Sequence, residues 1–487
     1  MKTILTIIAL LITLQNPCYA DESTQLNVKD FGAVGDGVAM DTVALQSAID
    51  ACSKAGNATL RVPPGKYQTG TLHLKNNVTL SLDHGAFILG SQNIADYPIE
   101  NLRKSREGNA HCLLYAEDAS NITIEGLGVI DGRGTPDVFP RSVKGKKGRL
   151  PRPRLMRLEN CQNLTFSGVT YKRPAFWGLH LVDCKDVHFN GVKTFMRNNG
   201  ANNDGLDIDG CENVLIENCE IVSGDDAICL KSTKNACRNI KVRNCRVSSN
   251  TAAFKCGTSS RGGFIDISVD NCYFYDCPMG AIKLQIVDGG TLDNVEISRI
   301  TMERVGCPIF LRLGNRGRKY NHETKETEGV QGADAKSEGA PIGTFKNVFI
   351  HDIVATVTIE DRNKAAEATY KNKKVDSTTG VTDAEKSRVG PIMIAGIPDH
   401  YIEDVVLEDI EISYPGKGTA ADAQNEVPED IARYPEQYFF GVLPSWGAYI
   451  RHAKNVQFKN VKMTTRSPDE REEIIMEDVE GFVSENE

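Results

Sequence analysis

Glu212-Asn213-Val214-Leu215-Ile216 is the stretch that decides the fold, because segments of similar form recur along the chain. Each copy places apolar residues at alternate positions after an Asn, an Asp or a neighbouring polar residue, and this is the period of a β-strand. The other copies lie at 162–166, 185–189, 238–242, 264–269, 293–297 and 454–458. Intervals of about 20–50 residues indicate repeat architecture, in which strands of adjacent coils stack about 4.8 Å apart. The chain is therefore predicted to be an all-β solenoid.

Two acidic motifs lie one repeat apart on this solenoid. The first is Asn202-Asn203-Asp204 and the second is Gly224-Asp225-Asp226, and Asp225 follows Asp204 by 21 residues. Because this interval is about one coil, we expect Asp204 and Asp225 side by side on one sheet, with Asp226 adding a third carboxylate. Asp225 and Asp226 would point to opposite faces of a regular strand, so the backbone must bend there, and Gly224 makes a bend plausible.

Three neighbouring carboxyl groups suit acid–base catalysis. Like charges a few ångströms apart raise the pKa of one member, which can then donate a proton while a partner activates water. Glycoside hydrolysis with inversion uses such a pair, separated by about 6.5–9.5 Å. The alternative interpretation is a calcium site or solvated acidic turns, and for Asp207 and Asp209 we favour that alternative. For Asp204, Asp225 and Asp226 we favour catalysis.

The ends and the composition of the chain limit its class. Of 487 residues, the first 20 hold a basic start, an apolar run at 4–14 and a small residue at the end, which predicts a cleaved signal peptide. We expect a secreted or periplasmic protein with one domain at 21–487 and no membrane anchor. The net charge of −9 argues against nucleic acid as a partner.

An amphipathic helix is predicted before the β-array. Asp41 is a candidate N-cap, Leu45, Ile49 and Cys52 follow at helical spacing, and Gly56 is a candidate stop. A first strand is predicted at 27–33. The helix would cover the open end of the first coil, so we expect a capped solenoid that exists as a monomer.

Two polar stretches and the cysteines complete the pattern. The stretches 314–343 and 362–388 interrupt the repeat, and we interpret them as insertions that either lie on the surface or form walls around a substrate site. Thirteen cysteines remain after the signal peptide, several at the same place in successive repeats. We expect stacked buried thiols rather than disulfides, and no zinc site because no CxxC pair is present.

These motifs also carry a resemblance to a family. With Val62-Pro63-Pro64-Gly65 and Phe176-Trp177-Gly178-Leu179-His180, the acidic motifs resemble those of glycoside hydrolase family 28, the polygalacturonase-like enzymes. The resemblance implies a right-handed parallel β-helix with Asp225 as the general acid and with Asp204 and Asp226 holding and activating water. It places Asn202 in the substrate site, implies a polysaccharide or oligosaccharide substrate, and implies no metal or organic cofactor.

Two positions depart from the family pattern. Ala252 stands where the family has the His of a Gly-His-Gly motif. The family's Arg-Ile-Lys motif, which binds a galacturonate carboxylate, is Ala281-Ile282-Lys283 here. In this register the Lys is kept and the Arg is lost, whereas a register shifted by one residue would lose both. Period-two alternation places Gln285 on the same face as Lys283.

Other side chains could compensate for these losses. Lys231, Lys255 and Lys283 each follow an apolar residue in successive coils, so we expect them either to stack and bind an anionic substrate group or to be ordinary solvated lysines. Trp177 and His180 lie one coil before Asp204. Trp177 could stack on a sugar or belong to the core, and His180 could take the role missing at Ala252.

Three functions remain possible from the sequence. The leading hypothesis is an inverting hydrolase of a plant or algal polysaccharide, with the insertions favouring an exo-acting pocket. The second is a β-helix polysaccharide lyase, in which the acids bind Ca²⁺ and Lys255 or Lys283 is the base. The third is a non-catalytic glycan-binding β-helix.

Overall fold

The computed structural model describes residues 24–100, 110–142, 149–198, 200–317, 319–321, 326–328, 341–358 and 389–485. The predicted signal peptide at 1–20 and the predicted insertion at 362–388 lie outside the described residues. Within the predicted insertion at 314–343, the described backbone forms a small antiparallel pair, Lys319–Asn321 with Glu326–Glu328. The rest of the described strands belong to a parallel β-helix, which confirms the predicted solenoid.

The coils contribute parallel strands to three stacks, which we call the first, second and third sheets. In the first sheet Val187 pairs with Val214, and Val214 pairs with Ile240, so copies of the repeat lie in register. Its separate strands are Thr24–Asn27, Ala58–Val62, Val78–Leu82, Ser120–Gly126, Gln162–Ser167, Lys185–Asn190, Glu212–Glu217, Cys237–Arg243 and Val483–Glu485.

The second and third sheets follow the same order along the chain. The second sheet contains Asp36–Met40, Gly65–Thr69, Ala86–Gly90, Val129–Asp131, Thr170–Lys172, Lys193–Phe195, Glu220–Ser223 and Arg246–Ser249. The third contains Leu72–His73, Cys112–Glu117, Arg154–Glu159, Leu179–Val182, Leu206–Asp209, Ile228–Ser232, Phe254–Ser260, Ile282–Ile286, Ile309–Leu313, Ile392–Ala395 and Glu472–Glu480. Longer strands continue from one sheet into the next; they are Phe264–Cys277, Thr291–Val305, Thr344–Val357, Ile402–Tyr414 and Ser445–Thr465.

Burial differs between the sheets, and this difference positions the site. In Glu212–Glu217 of the first sheet, Val214 and Ile216 are buried and alternate with more exposed residues, as predicted. In Leu206–Asp209 and Ile228–Ser232 of the third sheet every residue is buried, so the outer face is covered as well. Charged groups on that outer face must find partners, because burying an unpaired charge is costly.

A ladder of Asn and Asp side chains explains why the repeat carries Asn. Asn213 has φ 57°, and the parallel register passes over it and over Asp186 alike, so each strand has a left-handed kink at this position. Asn and Asp tolerate this left-handed conformation better than other residues with a side chain. The amide of Asn213 donates to Asp186 Oδ1 at 2.9 Å, and that of Asn239 donates to Asn213 Oδ1 at 2.8 Å. The repeated residue thus shapes each turn and links it to the next.

The predicted capping helix is confirmed as Thr42–Ala55, with Leu45, Ile49 and Cys52 buried against the first coil. Gly56 ends it in the left-handed region at φ 90°. Asp41 stands at the N-cap, but its carboxylate accepts from the backbone N–H groups of Val34 and Gly35, at 2.6 and 3.0 Å, instead of capping the helix.

The predicted first strand at 27–33 is wrong. The strand is Thr24–Asn27, and a 3₁₀ turn, Val28–Phe31, follows it, because the Asn27 side chain accepts from the Lys29 N–H and starts a turn. Further 3₁₀ turns are Ile94–Asp96, Asp422–Gln424 and Gln437–Phe440. Across the described ranges, no helix combines the length and the apolar character that crossing a bilayer requires.

The thirteen described cysteines are buried and reduced, as expected for stacked thiols. Cys211 Sγ lies 3.4 Å from the backbone N of Cys184 in the preceding coil. Cys245 Sγ lies 3.2 Å from the carbonyl oxygen of Arg243. Ten of these thiols belong to the main apolar core, whereas Cys112, Cys229 and Cys307 lie outside it.

Candidate active site

The three acidic residues lie in turns that lead into the third sheet, and not on its strands. Leu206 pairs with Ile228, so Asp204 and Asp226, each two residues earlier, are the equivalent positions of adjacent coils. The Gly205 N–H donates to the Asp226 carbonyl at 2.9 Å. Asp204 and Asp225 are therefore not paired on one sheet as expected, although their carboxylates are neighbours. Asp225 lies in a bend between Gly224 and Asp226, where strand alternation does not apply.

The bend brings the three carboxylates together. One oxygen atom of each of Asp204, Asp225 and Asp226 lies within 4.8 Å of the corresponding oxygen atoms of the other two. Asp204 and Asp226 are buried, whereas Asp225 is partly exposed. The separation is shorter than the one expected for an inverting pair, so the distance between carboxylates does not by itself fix the stereochemistry.

Asp226 is the carboxylate that the protein keeps ionised. Its Oδ2 accepts from Lys255 Nζ at 2.8 Å, and its Oδ1 accepts from Thr251 Oγ1 at 2.8 Å. Burial raises the pKa of Asp226, but the ammonium groups of Lys255, Lys231 and Lys283 outweigh burial and lower it to about 2. Asp226 can therefore accept a proton at any pH well above that value.

Hydrogen bonds to its backbone carbonyl hold Asp225 in place, and its pKa is shifted upward, opposite to that of Asp226. Its carbonyl oxygen accepts from Ser223 Oγ at 2.5 Å and from Ser249 Oγ at 2.6 Å. Its Oδ2 lies 3.5 Å from Asn202 Nδ2. Burial, followed by the charge of Asp226, raises the pKa of Asp225. A partly exposed carboxyl group that retains its proton can act as an acid toward a bound substrate.

Asp204 and Asp207 form the deeper part of the cluster. Burial, followed by the charges of Asp207 and Asp225, raises the pKa of Asp204 well above its usual range. Burial also raises the pKa of Asp207 to about 7, although Lys231 Nζ lies 3.3 Å from its Oδ1. The alternative of solvated turn acids is wrong for Asp207, which is fully buried beside Lys231.

Asp209 is also buried, and its role is local. It accepts from the Thr233 backbone N–H and from Thr233 Oγ1, both at 2.8 Å. These bonds fix the turn after Ile228–Ser232, because both carboxylate oxygens are used within it. Asp209 is thus neither solvated nor part of the acidic cluster around Asp225.

The acidic cluster has the oxygen ligands that a hard cation would need. Ca²⁺ prefers several carboxylate and carbonyl oxygens. In this cluster, however, the Lys255 ammonium already lies 2.8 Å from Asp226 Oδ2, so a cation would compete with it for the same oxygen. The arrangement fits internal compensation by lysine better than a calcium site.

The three predicted lysines are buried, but they do not form one ladder. Lys255 pairs with Cys229 in the preceding coil and with Lys283 in the next coil, so Lys231 lies two residues out of step with both. Lys231 Nζ lies 4.5 Å from the centre of the Trp177 ring and 3.3 Å from Asp207. The expected three-lysine stack is wrong, and so is the alternative of solvated lysines.

A segment near the C-terminus covers Lys255 and Lys283. The sequence marks 420–441 as an irregular stretch rich in Pro and acidic residues, but no sequence argument placed it at the site. We call residues 415–444 the closing segment. Glu436 forms an ion pair with Lys283 and lies 3.8 Å from Lys255 Nζ. Lys255 donates to the Tyr434 hydroxyl at 3.3 Å, and Gln285 Nε2 donates to the Pro435 carbonyl at 2.8 Å. Two of the predicted binding residues, Lys283 and Gln285, therefore contact the protein itself.

Arginine anchors the closing segment on the third sheet. Arg312 is buried and donates to the carbonyl oxygens of Glu429 at 2.7 Å and Asp430 at 3.1 Å. The backbone N–H of Asn315 donates to the Ile431 carbonyl at 2.8 Å. These bonds fix the backbone immediately before Tyr434, so the position of Glu436 follows from the fold of the third sheet.

Trp177 and His180 belong to the coil before Asp204, on the side of the acidic cluster away from the closing segment. Trp177 is buried. Lys231 Nζ lies 4.5 Å and Arg154 Cζ 4.9 Å from the centre of its ring. Its environment is thus cationic and not the plain apolar core of our alternative. His180 packs edge-on against Trp177 at 4.9 Å, and its Nε2 lies 3.9 Å from Asp209 Oδ2.

The family pattern led us to expect a His beside Asp225 and Asp226. Thr251 and Lys255 lie there instead. Ala252 is fully buried and offers only a methyl group, whereas Thr251 Oγ1 binds Asp226 and lies 3.4 Å from Asp225 Oδ1. Arg152 was also missed, and its Nη2 donates to Asn202 Oδ1 at 3.1 Å. A Thr or an Arg next to an acidic motif carries no distinctive signal, so sequence alone gave no reason to select them.

Comparison with protein families agrees with this architecture. The model of "Glycosyl hydrolases family 28" matches residues 52–340, more than half of the chain. A probable polygalacturonase of Vitis vinifera is 28% identical over 405 residues, covering 76% of this chain and 80% of that protein. An exo-poly-alpha-D-galacturonosidase of Dickeya chrysanthemi is 31% identical over 252 residues, covering 42% of this chain and 41% of that protein.

Solved structures with the same fold were also found. A family 28 exopolygalacturonase of Yersinia enterocolitica matches with a TM-score of 0.66 at 20% identity, covering 95% of this chain and 78% of that chain. An exopolygalacturonase of Thermotoga maritima also gives 0.66 at 20% identity, covering 90% and 91%. At this identity the likeness shows the fold, and the expected right-handed parallel β-helix is confirmed.

Proposed function

The chain belongs to family 28 of the glycosyl hydrolases, and from this premise we propose that it hydrolyses a pectin-type polysaccharide as a polygalacturonase-like enzyme. The named relatives support this class of substrate. The observation that carries the proposal is the cluster of three carboxylates within 4.8 Å of one another, in which Lys255 Nζ binds Asp226 at 2.8 Å while Asp225 stays partly exposed. The lysine lowers the pKa of Asp226, and burial raises that of Asp225. Such a pair supplies a base and an acid at the same pH.

The proposed mechanism assigns one proton transfer to each member of the pair. Asp225 donates its proton to the glycosidic oxygen as the bond from that oxygen to the anomeric carbon breaks. A water oxygen bonds to the anomeric carbon, and the water gives a proton to Asp226, while Asp204 orients that water. Because water attacks directly, we propose inversion at the anomeric carbon.

The surrounding residues position these groups and the substrate. We propose that Asn202, which lies between Arg152 and Asp225, holds the acid near the glycosidic oxygen. Lys255 acts on Asp226 as a positioning residue. On the N-terminal side of the cluster we assign substrate contact to Lys231 and to the Trp177 and His180 pair.

We also propose a cellular setting. A polymeric pectin-type substrate fits an exported enzyme, which supports the predicted signal peptide at 1–20 and a secreted or periplasmic mature protein at 21–487. One continuous apolar core extends from Val28 to Met463, which supports a single domain. The capping helix covers the first coil, which supports a monomer.

Reducing ends released from a panel of glycans test the proposed function. The purified protein is incubated with polygalacturonate, methyl-esterified pectin, galactan and a sulfated galactan, and unsaturated ends are followed in parallel by ultraviolet absorbance. Hydrolysis predicts new reducing ends without unsaturated ends, and proton NMR of the first product should show the inverted anomer. Unsaturated ends that a chelator abolishes would instead favour the lyase, and binding without any turnover would favour a glycan-binding protein.

A further inference from the structure

On the C-terminal side of the acidic cluster, two buried lysines pair with two buried carboxylates of the protein. Lys255 and Lys283 are both buried, and each has a carboxylate partner in the protein. Lys255 binds Asp226 at 2.8 Å, and Lys283 forms an ion pair with Glu436 of the closing segment. The two ammonium groups and the two carboxylates balance, so this buried group of four side chains has no net charge when all are ionised.

Glu436 could reach this position only through the closing segment. It lies 153 residues after Lys283, and Glu436 is itself buried. The Gln285 side chain binds the carbonyl of the preceding residue, Pro435, which holds the backbone next to Glu436 in place. Glu436 therefore supplies, from within the protein, the carboxylate that pairs with the buried Lys283 ammonium group.

Adding a third carboxylate here would be unfavourable. A free galacturonate carboxylate placed against Lys283 would lie within a few ångströms of Glu436, and like charges at that distance cannot both ionise freely. Displacing Glu436 would leave its charge buried without a partner, which is also costly. A neutral sugar avoids both costs, because its hydroxyl groups can share the existing donors and acceptors.

Tyr434 provides a neutral surface at the same place. Its side chain remains 39% exposed, although its hydroxyl accepts from the buried Lys255. Aromatic rings next to a hydrolytic site can pack against the apolar face of a sugar ring. Tyr434 is therefore exposed on this side, whereas Lys255 and Lys283 are buried.

We propose that Glu436 is a specificity-determining residue that makes the position beside Lys255 and Lys283 accept a sugar without a free carboxylate. The sugar is either a neutral residue or a methyl-esterified galacturonate. This inference rests on the proposed hydrolase function and narrows its substrate. It also accounts for the loss of the Arg of the family motif at Ala281, because a site that excludes a carboxylate does not need that cation.

The test compares esterified with free oligogalacturonides of one length. The ratio of kcat/KM values is measured for the natural protein, for Glu436→Gln, for Glu436→Asp and for Glu426→Gln, an exposed residue of the same segment. We expect the natural protein to prefer the esterified substrate by about tenfold or more. Glu436→Gln should shift the ratio toward the free acid by a similar factor, while Glu436→Asp and Glu426→Gln keep it.

Two outcomes overturn the inference: a natural protein that prefers the free acid, or a ratio that Glu436→Gln leaves unchanged. Thermal unfolding of each variant shows whether the closing segment still folds. Calorimetric binding of the same two oligosaccharides to Asp225→Asn gives the preference without turnover. If neither oligosaccharide is hydrolysed, the glycan panel described above decides whether the proposed function fails, and the binding ratio still decides the role of Glu436.

Discussion

At the scale of single residues, the nearest charges decide what each carboxyl group can do. Asp226 has Lys255 at 2.8 Å and its pKa is lowered, whereas Asp204 faces Asp207 and its pKa is raised. The two residues occupy equivalent positions in adjacent coils, so the repeat gives them the same backbone and the neighbours give them different chemistry. Function in this chain comes from what departs from the repeat.

Asp204→Asn should make the protein more stable at neutral and alkaline pH. In the folded protein Asp204 keeps its proton to a higher pH than the usual 3.8, so its ionisation costs stability that rises with pH above 3.8. A neutral amide removes that cost, and we expect a gain of about 0.5–2 kcal/mol at pH 8 and little gain at pH 4. Thermal unfolding at the two pH values measures it, and a variant that is less stable at pH 8 contradicts the assignment.

Lys255→Met should move the acidic limb of the activity profile to higher pH. Lys255 is the largest of the influences that lower the pKa of Asp226, so its removal lets burial raise that pKa. Asp226 then ionises later as pH rises, and we expect the limb to move up by about one unit or more. The pH dependence of kcat/KM checks this, with the exposed Lys241→Met as the control. An unmoved limb would mean that Asp226 is not the base.

At the scale of elements, the sequence could predict what is periodic. The strands and the left-handed Asn positions recur, and the capping helix follows local rules. Asn213 and its copies therefore identify the coils. The closing segment has no period, and its contacts with Lys283 and Gln285 cross 150 residues or more. Its path over the third sheet depends on Arg312 and on carbonyl groups, which no local pattern reveals.

Substitutions at Asn213 should separate its two contributions to the coil. Asn213→Gly keeps the left-handed kink and loses the ladder bonds to Asp186 and Asn239, so we expect the free energy of unfolding to fall by about 1 kcal/mol. Asn213→Leu also forces a β-carbon into that conformation and should lose about 1–2 kcal/mol more. Denaturant unfolding measures both. Equal losses would show that the backbone conformation contributes nothing.

At the scale of the whole molecule, the site is built by stacking. The carboxylates come from two adjacent coils, Thr251 and Lys255 from the next coil, and Tyr434 and Glu436 from a segment far along the chain. Because coils stack in register, the fold brings the acidic motifs together without any long loop. The family match confirms the hydrolase class that these motifs predicted. The closing segment covers Lys255 and Lys283 beside the site.

The central claim is that Asp225 protonates the glycosidic oxygen, and the most direct measurement compares Asp225→Asn with the natural protein. Initial rates of reducing-end release are measured on the best substrate of the panel, after thermal unfolding has shown that the variant is folded. We predict a fall in kcat of about 10²–10⁴-fold, because the amide cannot donate a proton as an acid. A folded variant that retains the natural rate would contradict the account and place the acid elsewhere.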